Sequence, residues 1–140
     1  MAEKSKSLRH GNLLICLILV AITLLVYLPG MNRLGYYRDD WNNVFNAYTQ
    51  GSQMLIRHYQ SDRPVDGYLL SAAYDLFGPN PYPYLLINLA CRFFCGFFFY
   101  LTLTLIWKKN KFPAFVAASL FLVFPGFLRQ VDGIAYLPHQ

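Results

Sequence analysis

Asp39 and Asp40 stand side by side in the stretch YYRDDWNN, eleven residues beyond an uncharged run that ends at Leu28. Neighbouring carboxylates at a membrane–water boundary repel each other, and partial burial disfavours their ionised forms. Both effects suit a group that must take up a proton as a general base. Tyr36, Tyr37 and Trp41 surround the pair with flat aromatic faces, which serve either as a stacking wall for a sugar ring or as interfacial anchors. A purely structural role competes. One aspartate could N-cap a helix beginning near Trp41 while the other favours the positive end of its dipole. Capping and catalysis are compatible in one pair, so both readings stand at this stage.

Three arginines form a second set of candidates. Arg57 and Arg63 flank His58 in IRHYQSDRP, and guanidinium forks bind phosphate oxygens in a bidentate manner. Pairing of Arg63 with Asp62 or Asp66 on a solvated surface is the competing explanation. Arg92 is the only charge in the long apolar stretch 84–107. A cation at that depth faces a cavity, a partner or a lipid phosphate, or it snorkels to the headgroups. Arg129, Asp132 and His139 follow the last apolar run and could share a site with Asp39, although their spacing does not require it.

Cys16, Cys91 and Cys95 all lie within apolar runs. An odd number at such depth is no disulfide framework, and no histidine or second cysteine pair completes a metal set around Cys91 and Cys95. They read as small packing residues. Neither a phosphate-binding glycine loop nor a nucleophile elbow is present.

The elements that must position these residues are those of a membrane protein. The 140-residue chain is 56% hydrophobic and 14% charged, against about 25% charged for soluble domains. Its net charge of +5 is not arranged in a basic stripe, which argues against nucleic acid as partner. Lys4, Lys6 and Arg9 precede the first apolar run, and Lys108, Lys109 and Lys111 follow the second. Charge placed there sets orientation across a bilayer.

The expected fold is all-α, with about three transmembrane helices and amphipathic interfacial helices in a large extracytoplasmic first loop. The divisions are a basic cytoplasmic N-terminus over 1–12 and a first span over 13–29, read as an uncleaved anchor because no small-x-small site follows it. The extracytoplasmic loop covers 30–83, the second span 84–107, a basic cytoplasmic loop 108–112 and the third span 113–128. Residues 129–140 begin a second outer loop. Within the first loop, Trp41, Val44, Phe45 and Tyr48 recur at helical spacing, as do Val65, Tyr68, Leu69, Ala72, Ala73, Leu76 and Phe77. Pro64 and Gly78 suit the ends of the latter helix, and GPNPYP makes a rigid turn back toward the membrane.

The first span followed by RDDW, then DRPVDGYLLSAAYDLFGPNPYPYLLINL, then LFLVFPGFLRQVDGIAY, resembles the N-terminal part of GT-C membrane glycosyltransferases. The nearest branch is the protein O-mannosyltransferase and aminoarabinose-transferase-like group, and the similarity runs from about Leu13 to the end of the chain. The resemblance implies a polytopic enzyme that takes a sugar from a polyprenyl-phosphate donor. It passes that sugar to a glycan, lipid or protein acceptor on the extracytoplasmic face, in a bacterial inner membrane in preference to the endoplasmic reticulum. Asp39 matches the family's general base and Asp40 its assistant, with Arg57, Arg63 and Arg92 candidates for binding the phosphate. The donor is a substrate and no cofactor is implied, although paired carboxylates leave room for a divalent cation. Such enzymes have many more spans, so the chain is expected to be an N-terminal fragment, inactive alone. The rival readings are a small non-enzymatic membrane scaffold or assembly subunit and, less directly, a carrier in which Arg92 lines a path.

Overall fold

The computed structural model describes residues 2–36 and 38–124, with side chains described from residue 13 onward except Asn32. Six α-helices account for most of this length, and the described residues contain no strand: α1 (Ala2–Tyr27), α2 (Asp39–Gln50), α3 (Gln53–Tyr59), α4 (Pro64–Phe77), α5 (Pro81–Ile106) and α6 (Phe112–Val123). A single 3₁₀ turn, Met31–Arg33, follows α1. The chain divides into two units. One, here the span unit, comprises 2–29 and 89–124. The other, the loop unit, comprises 30–88. Helix α5 contributes its first two turns to the loop unit and the rest to the span unit.

Among the described residues, one helix is long and apolar enough to cross a membrane. It is α5, whose 26 residues extend about 39 Å at ~1.5 Å per residue, against a hydrocarbon core of about 30 Å. Of the three spans expected, this is the one that meets both criteria among the described residues. The uncharged part of α1 is Leu13–Tyr27 and α6 is Phe112–Val123, about 22 and 18 Å long. Pro29 halts α1, and Gly30 takes up a positive φ of 87° in the turn that follows. At the other end Phe124 is extended, as the residue before a proline must be, so α6 stops at Val123.

The span unit packs α1, α5 and α6 around Leu19, Tyr100, Ala114, Ala118 and Leu122. The buried residues of α6 recur every fourth position and are mostly alanine, which lets backbones approach as small residues do in membrane helix pairs. Gly96 of α5 serves the same purpose. A Cβ there would lie 2.6 Å from Leu122 Cγ. Tyr27 at the end of α1 donates its hydroxyl hydrogen bond to the Leu122 carbonyl, and Thr23 donates back to Leu19 O at 2.8 Å.

The loop unit is built on Val44, Ala47, Leu55, Tyr59, Leu70, Ala73 and Tyr84, with Tyr36, Tyr74 and Phe77 packed against them. Pro64 opens α4 and Gly78 closes it at φ 60°, its N–H bonded to Tyr74 O at 2.7 Å. The side chain of Asn80 then accepts from the Tyr82 N–H at 3.1 Å and caps α5, which starts at Pro81, inside the segment read from sequence as turn. Tyr84 turns back to donate to Gly78 O at 2.9 Å and meets the Phe77 ring edge-on at 5.6 Å.

Gly67 is where α4 crosses α3. A Cβ at this position would stand 3.0 Å from Ile56 Cα and 3.0 Å from Leu55 O, both backbone atoms that cannot swing aside. Replacing a helical glycine by alanine normally stabilises by roughly 1 kcal/mol. Here the sign is expected to reverse, with Gly67→Ala costing ~1–2 kcal/mol as the helices are forced apart. Thermal unfolding followed by circular dichroism in detergent checks this. Gly35→Ala is the control, since a Cβ there has nothing within 4 Å.

Candidate functional site

The acidic pair sits in the first turn of α2, which begins at Asp39 itself. The preceding residue, Arg38, makes no side-chain cap and has a positive φ of 47°. Neither aspartate is thus the N-cap; both occupy the first turn, where a carboxylate favours the helix dipole. Consecutive helical residues project about 100° apart, and the two side chains separate accordingly. Asp39 is exposed, whereas Asp40 is 1% exposed.

Asp40 belongs to the inward face of α2 with Asn43, Val44 and Ala47, at offsets of three, four and seven. Trp41, Phe45 and Tyr48 are exposed on the same helix. Asn43 is 3% exposed. Its Oδ1 accepts a hydrogen bond from the Tyr59 hydroxyl of α3 at 3.1 Å. Its Nδ2 and the hydroxyl of Tyr36 are buried without a hydrogen-bond partner among the described residues. Tyr36 lies edge-on to Trp41 at 5.2 Å. Burial, then Tyr74, then the negative charge of Asp40 push its hydroxyl above the usual tyrosine range, which keeps it protonated as a donor. One buried carboxylate, one amide donor and one hydroxyl therefore share the loop unit's interior, with the exposed carboxylate of Asp39 adjacent in the same helical turn.

The arginines are placed differently. Arg57 is exposed in the last turn of α3. Arg63 directs Nε to Asp62 at 2.9 Å, approaches Asp66 at 3.9 Å and lies 5.3 Å above the Tyr59 ring. The surface pairing considered from the sequence is thus present. Arg92, in the span unit, is 3% exposed. Its Nη2 donates to Phe121 O at 2.9 Å and Leu122 O at 3.2 Å, and its guanidinium lies over the Phe121 and Tyr27 rings at 5.2 and 5.9 Å. Those carbonyls belong to the last turn of α6, the negative end of its dipole. Arg92 thereby solves the problem of a cation in an apolar helix by capping another helix, and it ties α1, α5 and α6 together.

Arg129, Asp132 and His139 lie outside the described residues. Among the described residues no three His, Cys, Asp or Glu side chains group as metal ligands, and the three cysteines are free thiols. Asn43 and Tyr59 were not singled out from the sequence. The signal was available, because Asn43 stands one turn beyond Asp40 with Val44 and Ala47 completing one face. No protein-family model matches this chain, and no curated protein or solved structure is significantly similar to it.

Two outcomes follow from this geometry. Arg92→Met should destabilise the protein by about 2–4 kcal/mol because two buried carbonyls lose a charged donor, with Arg92→Lys intermediate; chemical unfolding in detergent checks the order. Tyr36→Phe deletes a buried hydroxyl that lacks a partner and should stabilise by ~1 kcal/mol near neutral pH. Tyr36 and Tyr74 are both raised in the folded state, Tyr74 by burial and then Tyr48. Their contribution is complete below the unfolded value of about 10 and is lost as pH climbs through the higher folded values. Unfolding midpoints across the alkaline range should accordingly fall less steeply for Tyr36→Phe than for the unaltered chain.

Proposed function

We propose that this chain carries the acidic centre of a membrane glycosyltransferase. The enzyme would move a sugar from a polyprenyl-phosphate donor to an acceptor hydroxyl at the extracytoplasmic face. The carrying observation is the split of the aspartate pair, one carboxylate exposed and one buried beside the orphaned Asn43 amide and Tyr36 hydroxyl. In this reading the acceptor oxygen attacks the anomeric carbon, the bond from that carbon to the lipid phosphate breaks, and configuration inverts. Asp39, open to the acceptor, takes the hydroxyl proton. Asp40, Asn43 and Tyr36 lie behind it in the loop unit's interior, a polar backing to the helix end that carries Asp39.

Polyprenyl phosphate leaves as a dianion that a cation must stabilise. Arg63 and Arg92 already hold Asp62 and the end of α6, so the proposal assigns the phosphate to Arg57. The membrane arrangement that accompanies it has three crossings, made by the first, second and third apolar runs of the sequence. The N-terminus and the 108–111 lysines lie in the cytoplasm, and the loop unit lies outside. A non-enzymatic scaffold is the second reading, favoured by the structural employment of Arg63 and Arg92.

The two separate on one comparison. Membranes containing the native gene product are given a polyprenyl-phosphate-linked sugar, and release of polyprenyl phosphate is followed. Asp39→Asn should lower turnover about 10²-fold or more without changing membrane insertion or helix content, since its side chain is exposed. Unchanged turnover in a normally inserted Asp39→Asn protein would remove the enzymatic reading and leave the scaffold.

A further inference from the structure

The turn between α5 and α6 carries two cavities that no part of the sugar-transfer reading uses. The first, about 400 Å³, is lined by Ile106, Trp107, Lys108, Lys109, Asn110 and Pro113. The second, about 270 Å³, is walled almost entirely by hydrocarbon from Ile15, Ile18, Phe112 and Phe115, with Lys111 at its edge. Residues 110–113 supply walls to both. All of these residues belong to the span unit, and the turn directly follows the end of α5.

The chemistry of the two hollows is complementary within one molecule of ligand. Lys108 and Lys109 are exposed ammonium groups bordering the first, and lysine is a point-charge binder of phosphate. Asn110 spends its side-chain oxygen on the Phe112 N–H at 3.0 Å, capping α6, which leaves its amide protons as further donors. The N-terminal end of α6 adds positive potential there. Trp107 brings a ring of the kind that settles at the headgroup level. The second hollow offers an apolar surface from two isoleucines and two phenylalanines, with Lys111 the one polar residue in its lining.

We infer that the α5–α6 turn is a binding site for an anionic phospholipid. Its phosphate sits between Lys108, Lys109 and Asn110, and an acyl chain lies along Ile15, Ile18, Phe112 and Phe115. A soluble phosphate would satisfy the first hollow alone and leave the apolar one without purpose. A zwitterionic lipid would bring its own cation up against two lysines. The site does not depend on the role of Asp39 and Asp40, only on α5 lying in a bilayer.

The full chain carrying Trp41→Phe retains Trp107 as its sole tryptophan, and this residue lines the first cavity. The protein is reconstituted in phosphatidylcholine vesicles with increasing amounts of phosphatidylglycerol, and one or the other lipid is brominated in its acyl chains to quench Trp107 fluorescence. Quenching should report a preference for phosphatidylglycerol of about tenfold, in line with two basic groups at the surface. Lys108→Gln with Lys109→Gln should bring the preference close to unity. Lys108→Arg with Lys109→Arg should keep it, and Lys4→Gln with Lys6→Gln, the same loss of charge elsewhere, should leave it unaltered. Equal quenching by both lipids in the Trp41→Phe protein overturns the site, as does a preference that survives the double glutamine variant. An equal fall in the Lys4, Lys6 control would reduce it to non-specific charge attraction. Abolition of the preference by millimolar inorganic phosphate would assign the first cavity to a soluble anion and overturn the lipid.

Discussion

A carboxylate that is 1% exposed sets terms for everything packed around it. Removing an ion from water costs several kcal/mol even after the protein relaxes, so the surroundings of Asp40 must be polar, positively polarised, or both. The first turn of α2 supplies the second condition through its free N–H groups. One helical turn later Asn43 shares the same buried face, and its Oδ1 is held by the Tyr59 hydroxyl from α3. Tyr59 can do so only because α3 lies flush on α4, and that contact depends on the missing side chain of Gly67. The turn after α4 is fixed in its place by Tyr84 and Phe77. A chain of short-range constraints thus runs from one buried charge to the start of the long apolar helix.

The span unit faces the same constraint with the opposite sign. Arg92 is a cation in the middle of an apolar helix, and the last carbonyls of α6 are acceptors that the helix itself cannot satisfy. Each would be costly alone. Together they cancel, and the Tyr27 hydroxyl on Leu122 O extends the arrangement to a third helix. This explains how α6, only 12 residues long, ends in a well-defined place. It also explains why an arginine there is weak evidence for a bound phosphate, since its donors already have a use.

Much of the helical framework was legible because it rests on local chemistry. Pro64, Gly78, Gly51 and the lysines from Lys108 mark ends that need no knowledge of tertiary contacts, whereas the start of α5 at Pro81 fell within the segment read as turn. Crossing length was not legible in the same way, since continuity of apolar residues says nothing about where capping halts a helix. The acidic pair was conspicuous in the sequence, but its division into an exposed and a buried member was not. That division follows from the rotation of α2, which buries Val44 and Ala47 together with Asp40 and Asn43. Hydrophobic spacing marked Trp41, Val44, Phe45 and Tyr48; of these Val44 is buried, with Asp40 and Asn43 beside it, whereas Trp41, Phe45 and Tyr48 are exposed. Arg63 and Arg92 were ambiguous for a related reason. Sequence shows that a charge exists, whereas only a fold shows which carbonyl or carboxylate has claimed it.

The exposed aromatic residues of α2 bear on the setting of the two aspartates. A helix that turns its aromatic residues outward gains nothing from that choice in water, so the arrangement makes sense where an apolar medium or partner receives those rings. The inward face is then free to hold polar groups that a purely hydrophobic core would reject. Asn43 and Tyr36 keep donors buried without partners, at a cost that folding alone gives no reason to retain. Asp39 stands at the same helix end but outside this interior, exposed. Two adjacent acids on one turn of helix can therefore differ in access without differing in sequence context. The exposed one is open to solvent, and the buried one is enclosed by the loop unit.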